Sequence, residues 1–183
     1  MLKHEIRRRR SVRIPGNDYA LPRAYFVTIC TYRKSLFFGD VKNGIVTLNL
    51  YGEAAIIEWF RTTELREYVI LFEDEFILMP NHVHGIIHIK HPSGAVGARH
   101  RHAPTEEKFG MPRSGTRGTM IRAYKSAVTR RVNKIRGTPG MKVWQRNYYE
   151  HIIRDESELN RICCYIRGNP ALWHGDVYFV DGG

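Results

Sequence analysis

Two histidines separated by one residue are the side chains in this sequence best suited to holding a metal ion. His82 and His84 lie in a β-branched, apolar stretch that ends at Ile89. Because side chains alternate along a strand, both imidazoles would point to one face, about 6.6 Å apart. His88 shares that face but lies roughly 13 Å farther along, too far to join the same ion. Two polar residues on the wet face of a half-buried strand would give the same pattern.

A tyrosine and an asparagine near the other end of the chain form the second group. At about 100° per residue of helix, Tyr165 and Asn169 fall within roughly 40° of each other. They border an apolar stripe made of Leu159, Ile162, Cys163 and Ile166. A tyrosine there can be held firmly with its hydroxyl in a cleft, as a nucleophile requires, or can be an ordinary amphipathic wedge. Asn169, just before Pro170, also fits a helix C-cap.

The elements that must position these side chains follow from hydrophobic periodicity and turn signals. The sequence predicts strands over 24–32, 45–48, 72–79 and 82–90, and extended structure over 143–153. It also predicts three helices. The first carries the apolar stripe Ile56, Trp59 and Phe60 and ends near Tyr68. The second spans 119–136, and the third runs from an N-cap at Asp155 to Asn169. This order contains a β-α-β-β-α-β core. We therefore expect an α+β, ferredoxin-like (RRM-like) antiparallel sheet with helices on one face, plus a C-terminal helix that carries Tyr165.

The length of 183 residues suits one domain with a substantial core. Residues 1–22 are basic and rich in turn signals, which indicates an N-terminal arm. The domain then spans 23–173, and 174–183 is a C-terminal tail. The Gly- and Pro-rich stretch at about 91–118 predicts a long, mobile loop.

The net charge of +11 is concentrated in two acid-poor stretches. Residues 1–14 carry a net +5 and residues 117–136 a net +7, so the rest of the chain is nearly neutral. Two basic clusters on a neutral body indicate a polyanionic partner, nucleic acid above all, although a solvated basic face is the simpler alternative for either one.

The lack of an apolar targeting or membrane-spanning segment, together with the cysteine usage, favours a cytoplasmic protein with no membrane partner. Charged residues interrupt every apolar run well before the ~20 residues that a membrane-spanning helix needs. The stretch 1–10 has no apolar segment after it of the kind found in a secretory signal. The cysteines, Cys30, Cys163 and Cys164, have no zinc or redox spacing, which fits a reducing compartment.

Taken together, the two polar groups carry a family resemblance. His82-Val83-His84, followed about 80 residues later by Tyr165-Ile166-Arg167-Gly168-Asn169-Pro170, resembles the REP-associated tyrosine transposases, which belong to the HUH single-tyrosine family of the IS200-like superfamily. The segments 13–16, 24–28 and 144–154 are also similar to that family. The resemblance covers roughly residues 6 to 173, and its motifs are specific only in combination.

This resemblance implies a ligand set, a nucleophile and a cofactor. His82 and His84 would bind a divalent ion, and Asn169 stands where the family places its third ligand, which is glutamine in some relatives. Tyr165 would attack a DNA phosphate and form a 5′-phosphotyrosine. Two neutral imidazoles and an amide oxygen leave the charge of the ion uncancelled, which suits Mg²⁺ or Mn²⁺, although imidazoles also accept Zn²⁺.

The implied substrate is single-stranded DNA that carries a hairpin. Candidate DNA contacts are the basic, aromatic and imidazole side chains Arg7, Arg8, Arg9, Arg10, Arg13, Arg122, Lys125, Arg146, Tyr148, His151 and Arg154, with Tyr149 as an alternative stacking residue. The sequence leaves open whether the protein is a monomer or a homodimer.

Two other functions fit parts of the same pattern. A non-catalytic nucleic-acid-binding module is one, since ferredoxin-like sheets with basic helices also bind RNA. Such modules, however, place aromatics where this chain has His82 and His84. A metal hydrolase that uses bound water is the other, and its activity would survive Tyr165→Phe.

Overall fold

The computed structural model describes residues 23–90 and 117–179, with the side chains of Arg23 and Arg117 left out. Its strands are β1 (Arg23–Cys30), β2 (Gly39–Lys42), β3 (Ile45–Leu48), β4 (Val69–Ile70), β5 (Phe76–Met79), β6 (His82–Ile89) and β7 (Tyr149–Ile153). Its helices are α1 (Leu50–Glu64), α2 (Arg117–Ile135) and α3 (Glu156–Gly168). The predicted arm, with Arg7, Arg8, Arg9, Arg10 and Arg13, and nearly all of the predicted loop lie outside the described residues.

The main sheet is antiparallel, with β1 and β6 at its centre. Strand β1 pairs with β6 on one side and with β7 on the other, while β4 and β5 pair with successive parts of β6. The strand order and the intervening α1 and α2 give the ferredoxin-like arrangement, and the predicted α+β class is confirmed. The register of the central pair sets Cys30 opposite His82 and Thr28 opposite His84.

Helices α1 and α2 cover one face of this sheet. Because side chains alternate, Val27 and Ile29 of β1 and Val83 and Ile87 of β6 all face these helices. On α2 the apolar residues at helical spacing are buried over Ile121, Tyr124, Val128 and Val132, whereas Ile135, at the end of the helix, is 45% exposed. The larger core of the molecule therefore lies on the face opposite the two histidines.

A glycine allows α1 to approach β6 closely. A Cβ atom added to Gly85 would lie 2.5 Å from the indole ring of Trp59, closer than packed carbon atoms approach. Trp59 is buried against this position. Gly85 thus fixes the spacing between helix and strand, one residue away from His84.

Helix α3 packs on the opposite face of the sheet, as the predicted additional C-terminal helix. Its Cys163 and Ile166 join Phe26, Ile86 and Ile153 in a second, smaller core. The predicted N-cap is confirmed, since the Asp155 side chain accepts a hydrogen bond from the Glu158 backbone N–H at 2.8 Å. The Glu158 carboxylate accepts from the Arg154 N–H and so does not close a capping box on Asp155.

Several predicted boundaries were wrong for identifiable reasons. Strand β3 pairs with the unpredicted β2 in a separate hairpin, whose Asn43-Gly44 turn has φ values of 52° and 74° and so supplies the left-handed conformation of a tight turn. Helix α1 ends at Glu64, short of Tyr68. The predicted strand 72–79 begins only at Phe76, because the acidic stretch 73–75 forms a helical turn. The extended stretch 143–153 is regular only in β7.

None of the described helices combines the length and the apolarity needed to cross a bilayer.

Candidate active site

The two histidines of β6 lie side by side under α3. Both His82 and His84 are buried, and their ring centroids are 4.5 Å apart. They point away from the larger core, so the alternation predicted for this strand is confirmed. Thr28, which lies opposite His84 on β1, and Phe26, two residues before it on the same strand, line the floor of the site.

A hydrogen-bond relay fixes the tautomer of His82. The Asn81 amide nitrogen donates to the carbonyl oxygens of Lys34 (3.2 Å) and Tyr178 (2.7 Å), which leaves its Oδ1 as an acceptor. This Oδ1 lies 2.8 Å from Nδ1 of His82, so Nδ1 carries the proton. The Nε2 atom of His82 then presents a lone pair, and it is buried without a hydrogen-bond partner in the described part of the chain. This is the arrangement of a metal-binding imidazole.

His84 is held between the sheet and the tyrosine of α3. Its Nδ1 lies 2.9 Å from the Thr28 hydroxyl, and its Nε2 lies 3.2 Å from the Tyr165 hydroxyl. Phe26 stacks on the imidazole, with ring centroids 5.4 Å apart, and contacts the Tyr165 ring edge-on. The structure therefore brings the candidate nucleophile and a candidate ligand into direct contact.

Asn169 lies deeper than its predicted position at the border of the helix face. It is only 1% exposed, whereas Tyr165 is 41% exposed. Its side-chain nitrogen donates to the Asp176 carboxylate at 2.6 Å. Its Oδ1 is buried and has no hydrogen-bond partner among the residues that the structure describes. The amide also lies close enough to His82 and Tyr165 to influence the pKa of each.

Asp176 is a site residue that the sequence does not reveal. A ligand atom of its carboxylate and those of His82 and His84 all lie within 4.8 Å of one another. The turn Trp173–Gly175 brings it there, and the Tyr178 backbone N–H donates to its Oδ1 at 2.6 Å. The sequence predicts no role for the tail 174–183. Asp176 belongs to no periodic pattern and to no motif, so nothing in the sequence indicates that it is a site residue.

The electrostatics of the site keep both imidazoles neutral near pH 7. Burial lowers the pKa of His82 to about 4, although the Asp176 carboxylate and the Asn169 amide act in the opposite direction. Burial, and then the neighbouring His82, hold the pKa of His84 well below its ordinary value. Burial, followed by the charges of Asp176 and Tyr178, raises the pKa of Tyr165 to about 12. A nearby cation would favour the ionised form of this phenol.

His88 does not join the site, as the spacing predicted. Its Nε2 pairs with the Glu75 carboxylate at 2.5 Å. Glu75 in turn lies 4.0 Å from the thiol of Cys163 on α3. His88, Glu75 and Cys163 thus form a chain of polar contacts that connects β6 with α3, the helix that carries Tyr165.

Three of the predicted DNA contacts, Arg122, Arg146 and Arg154, have exposed side chains. Lys125 donates to the carbonyl oxygens of residues 145 (2.5 Å) and 146 (3.1 Å), so it holds that segment on α2. The contact of these side chains with DNA remains a prediction.

The other predicted contacts lie on or near β7. His151 faces the site side of the sheet, and its Nε2 lies 2.8 Å from the Glu158 carboxylate. Tyr148 is half-buried, packs against the larger core, and its hydroxyl donates to Glu150 at 3.2 Å. Tyr149 is 46% exposed and meets Phe26 edge-on at 6.2 Å. Of the two adjacent tyrosines, Tyr149 is thus the one that lies beside the site.

Comparisons with known proteins show a shared fold and a close sequence relative. No protein-family model matches the chain. A protein of Haemophilus influenzae, described only as uncharacterized, is 37% identical over 180 residues, which cover 96% of each chain. The solved structure of a REP-associated tyrosine transposase bound to a REP hairpin superposes with a TM-score of 0.52 at 17% identity, covering 87% of this chain and 73% of that one. The fold of this chain is therefore the fold of that transposase.

Proposed function

The chain belongs to the same protein family as the Haemophilus influenzae protein, and we propose that it is a transposase-like enzyme dependent on a divalent metal. In this proposal it cleaves and rejoins single-stranded, hairpin-associated DNA through a tyrosine. One observation carries the proposal. The Tyr165 hydroxyl lies 3.2 Å from His84, beside a group made of two buried imidazoles, the buried Asn169 amide and the half-buried Asp176 carboxylate.

The side chains of the site fit a divalent cation. Nε2 of His82 and Oδ1 of Asn169 are both buried acceptors, and neither has a donor within the described residues. Two acceptors cannot satisfy each other, and leaving them unpaired in a protein interior is costly. A cation among them would satisfy both. The nearby Asp176 carboxylate supplies negative charge.

We assign His82, His84, Asn169 and Asp176 as the residues that would hold the ion. Two imidazole nitrogens combined with amide and carboxylate oxygens suit Mn²⁺ or Mg²⁺, and Zn²⁺ is the competing ion for such a set. When bound, the ion would polarise the scissile phosphate and favour the ionised form of the phenol.

The residues of the chain then perform the remaining steps. Oη of Tyr165 attacks the phosphorus and forms a tyrosyl–phosphate bond, and the bond from phosphorus to the 3′-oxygen breaks. The phenol loses a proton, and the departing 3′-oxygen gains one. Because one phosphodiester replaces another, the step is reversible, and a 3′-hydroxyl of another strand can attack the phosphotyrosine. Thr28 and Phe26 orient His84, and Asn81 orients His82.

A denaturing-gel assay tests the proposal. Hairpin DNAs with single-stranded flanks are labelled at the 3′ end, because attack by Tyr165 would leave that fragment attached to the protein. Wild type should form a slow-migrating covalent band with Mn²⁺ or Mg²⁺ and none with EDTA. Tyr165→Phe should form none, whereas Tyr149→Phe, which removes an exposed hydroxyl on the same face, should retain it.

The other outcomes point to the alternatives. Metal-dependent cleavage that persists in Tyr165→Phe without a covalent band would identify a hydrolase that uses water. Hairpin binding without cleavage by wild type, over a panel of flanking sequences, would favour the non-catalytic module.

A further inference from the structure

The loop that follows β1 carries an exposed aromatic ring with two cations close to it. Tyr32 is 37% exposed, and its ring lies 5.4 Å from the guanidinium of Arg33 and 5.2 Å from the ammonium of Lys142. Arg33 and Lys142 are exposed as well. Within residues 23–90 and 117–179, no carboxylate lies within 4.0 Å of either cation. Their charge is therefore available to an anion.

Such contacts are concentrated near the site. The described residues contain four, and three of them involve the stretch Tyr32–Lys34. The third is Lys34 over the ring of Tyr178, at 5.3 Å.

The backbone holds this loop in an unfavourable conformation. Arg33 and Lys34 have φ values of 57° and 56°, two consecutive left-handed residues without a glycine. The hydroxyls of Thr31 and Ser35 stabilise the turn by donating to the carbonyl oxygens of residues 35 (2.8 Å) and 32 (2.9 Å). Strain of this kind concentrates at functional sites.

The loop is also connected to the metal-ligand candidates. The Lys34 carbonyl accepts from Asn81, and Asn81 positions His82. The Lys34 ammonium donates to the carbonyl oxygen of Val177 at 3.1 Å, next to Asp176. Strand β1 ends at Cys30, opposite His82, so Tyr32 stands two residues beyond the edge of the catalytic group.

We propose that Tyr32, Arg33 and Lys142 form a nucleotide-binding subsite for the single strand that flanks the cleavage point. Tyr32 stacks on a base, and the two cations contact the phosphates on either side of it. This pairing of an aromatic face with cations is the usual chemistry of single-strand binding. The inference rests on the proposed function, because it takes single-stranded DNA as the substrate.

Two measurements test the stacking. Anisotropy of a fluorescein-labelled hairpin with a single-stranded flank gives the Kd, and 2-aminopurine placed along the flank reports stacking by its quenching. Loss of one stacked base weakens binding by about 5- to 150-fold. Tyr32→Ala should show such a loss together with relief of quenching at one flank position, and Tyr32→Phe should behave as wild type.

The salt dependence tests the cations. Each phosphate contact to a single strand contributes about 0.7 to the slope of log K against log salt. The double variant Arg33→Gln/Lys142→Gln should therefore lower the slope by about 1.4. A matched control, Lys42→Gln/Arg61→Gln, removes the same charge from cations that already face the carboxylates of Asp40 and Glu58.

Three results would overturn the subsite: Tyr32→Ala binding as wild type, quenching unchanged in that variant, or an equal slope change in the control pair. The covalent-band assay separates this failure from failure of the proposed function. A metal-dependent band in wild type, together with DNA binding by Tyr32→Ala that matches wild type, would overturn the subsite and leave the proposed function standing. Absence of the band in wild type, by contrast, would contradict the proposed enzymatic function.

Discussion

The phenolic oxygen of Tyr165 lies 3.2 Å from Nε2 of His84, although 81 positions separate the two residues in the chain. One belongs to α3 and the other to the central strand β6. Their contact depends on α3 docking on the face of the sheet that α1 and α2 leave uncovered. The site is thus assembled from elements that meet only in the complete fold.

The first prediction separates attack from metal binding. Tyr165→Phe removes only a hydroxyl that is not needed as a ligand, so the Mn²⁺ affinity should stay within about twofold of wild type while the covalent band disappears. Isothermal titration calorimetry without DNA measures the affinity. Loss of Mn²⁺ binding in this variant would instead place the phenol among the ligands.

A second prediction concerns Asp176. Its carboxylate lies with His82 and His84 and accepts from Asn169, so under the proposed function Asp176→Ala removes one proposed ligand and the hydrogen-bond acceptor that holds another, Asn169. We expect the Mn²⁺ affinity to fall on the order of 10- to 100-fold. Asp40→Ala, which removes an exposed carboxylate paired with Lys42, is the control. Equal affinities of the two variants would exclude Asp176 from the site.

A third prediction concerns Asn81 as a positioning residue. Asn81→Leu removes the acceptor that holds the Nδ1 proton of His82, so the lone pair on Nε2 is no longer fixed. Mn²⁺ affinity should fall about 10- to 100-fold. Asn81→Asp keeps an acceptor and should bind the ion more tightly than Asn81→Leu, even though both lose the bonds to residues 34 and 178. A purely structural role would give both variants the same affinity.

Stability of the metal-free protein should depend on pH through His82. Its pKa is about 4 in the folded protein, against an ordinary value of 6.5 that applies to the unfolded chain, so the unfolded chain binds more protons between these values. Stability from this group is present above pH 6.5 and is lost as pH falls towards 4. Between pH 7 and 5 the loss is about 2 kcal/mol. Urea unfolding with EDTA measures it, and His82→Gln should make the profile shallower, with a remaining slope from His84, whose pKa is also lowered by burial. An equally steep profile in that variant would show that other groups cause it.

Two glycine substitutions should have opposite effects on stability. Gly85→Ala places a methyl group 2.5 Å from the buried Trp59 indole and 3.3 Å from the Phe76 ring, and should cost about 1–3 kcal/mol of unfolding free energy. Gly168→Ala, at the end of α3, meets nothing within 4 Å and should be neutral or stabilising by up to about 1 kcal/mol. Thermal unfolding of both variants checks the pair. If Gly85→Ala left the free energy of unfolding unchanged, α1 would have to be able to move away from β6.

Particular residues show how far the sequence predicts this molecule. The alternation of His82, Val83 and His84 defines which face each side chain occupies, because a strand has a period of two. Helical spacing likewise predicts that Tyr165 borders the apolar stripe of α3. These features are local and periodic, and the structure has them as predicted.

Other features depend on contacts between distant segments. The burial of the Asn169 side chain depends on residues 173–179, which place Asp176 against it. No local sequence pattern predicts that arrangement. Asp176 reaches the histidines through the same arrangement. Strand β2 was missed because its four residues lack alternation, and only the Asn43-Gly44 turn marked the hairpin.

The core beneath α3 is much smaller than the core beneath α1 and α2, so α3 should open more easily than the rest of the molecule. Among the described residues, α1 and α2 share a core of sixteen buried residues, whereas α3 is held by one of five. Less buried apolar surface means a lower free energy of local opening. In native-state hydrogen exchange, the amides of α3 should therefore exchange through a partial unfolding that leaves β1 and β6 protected. Tyr165 and Asn169 would leave the histidines together in that event, so the active arrangement would be lost before the sheet unfolds.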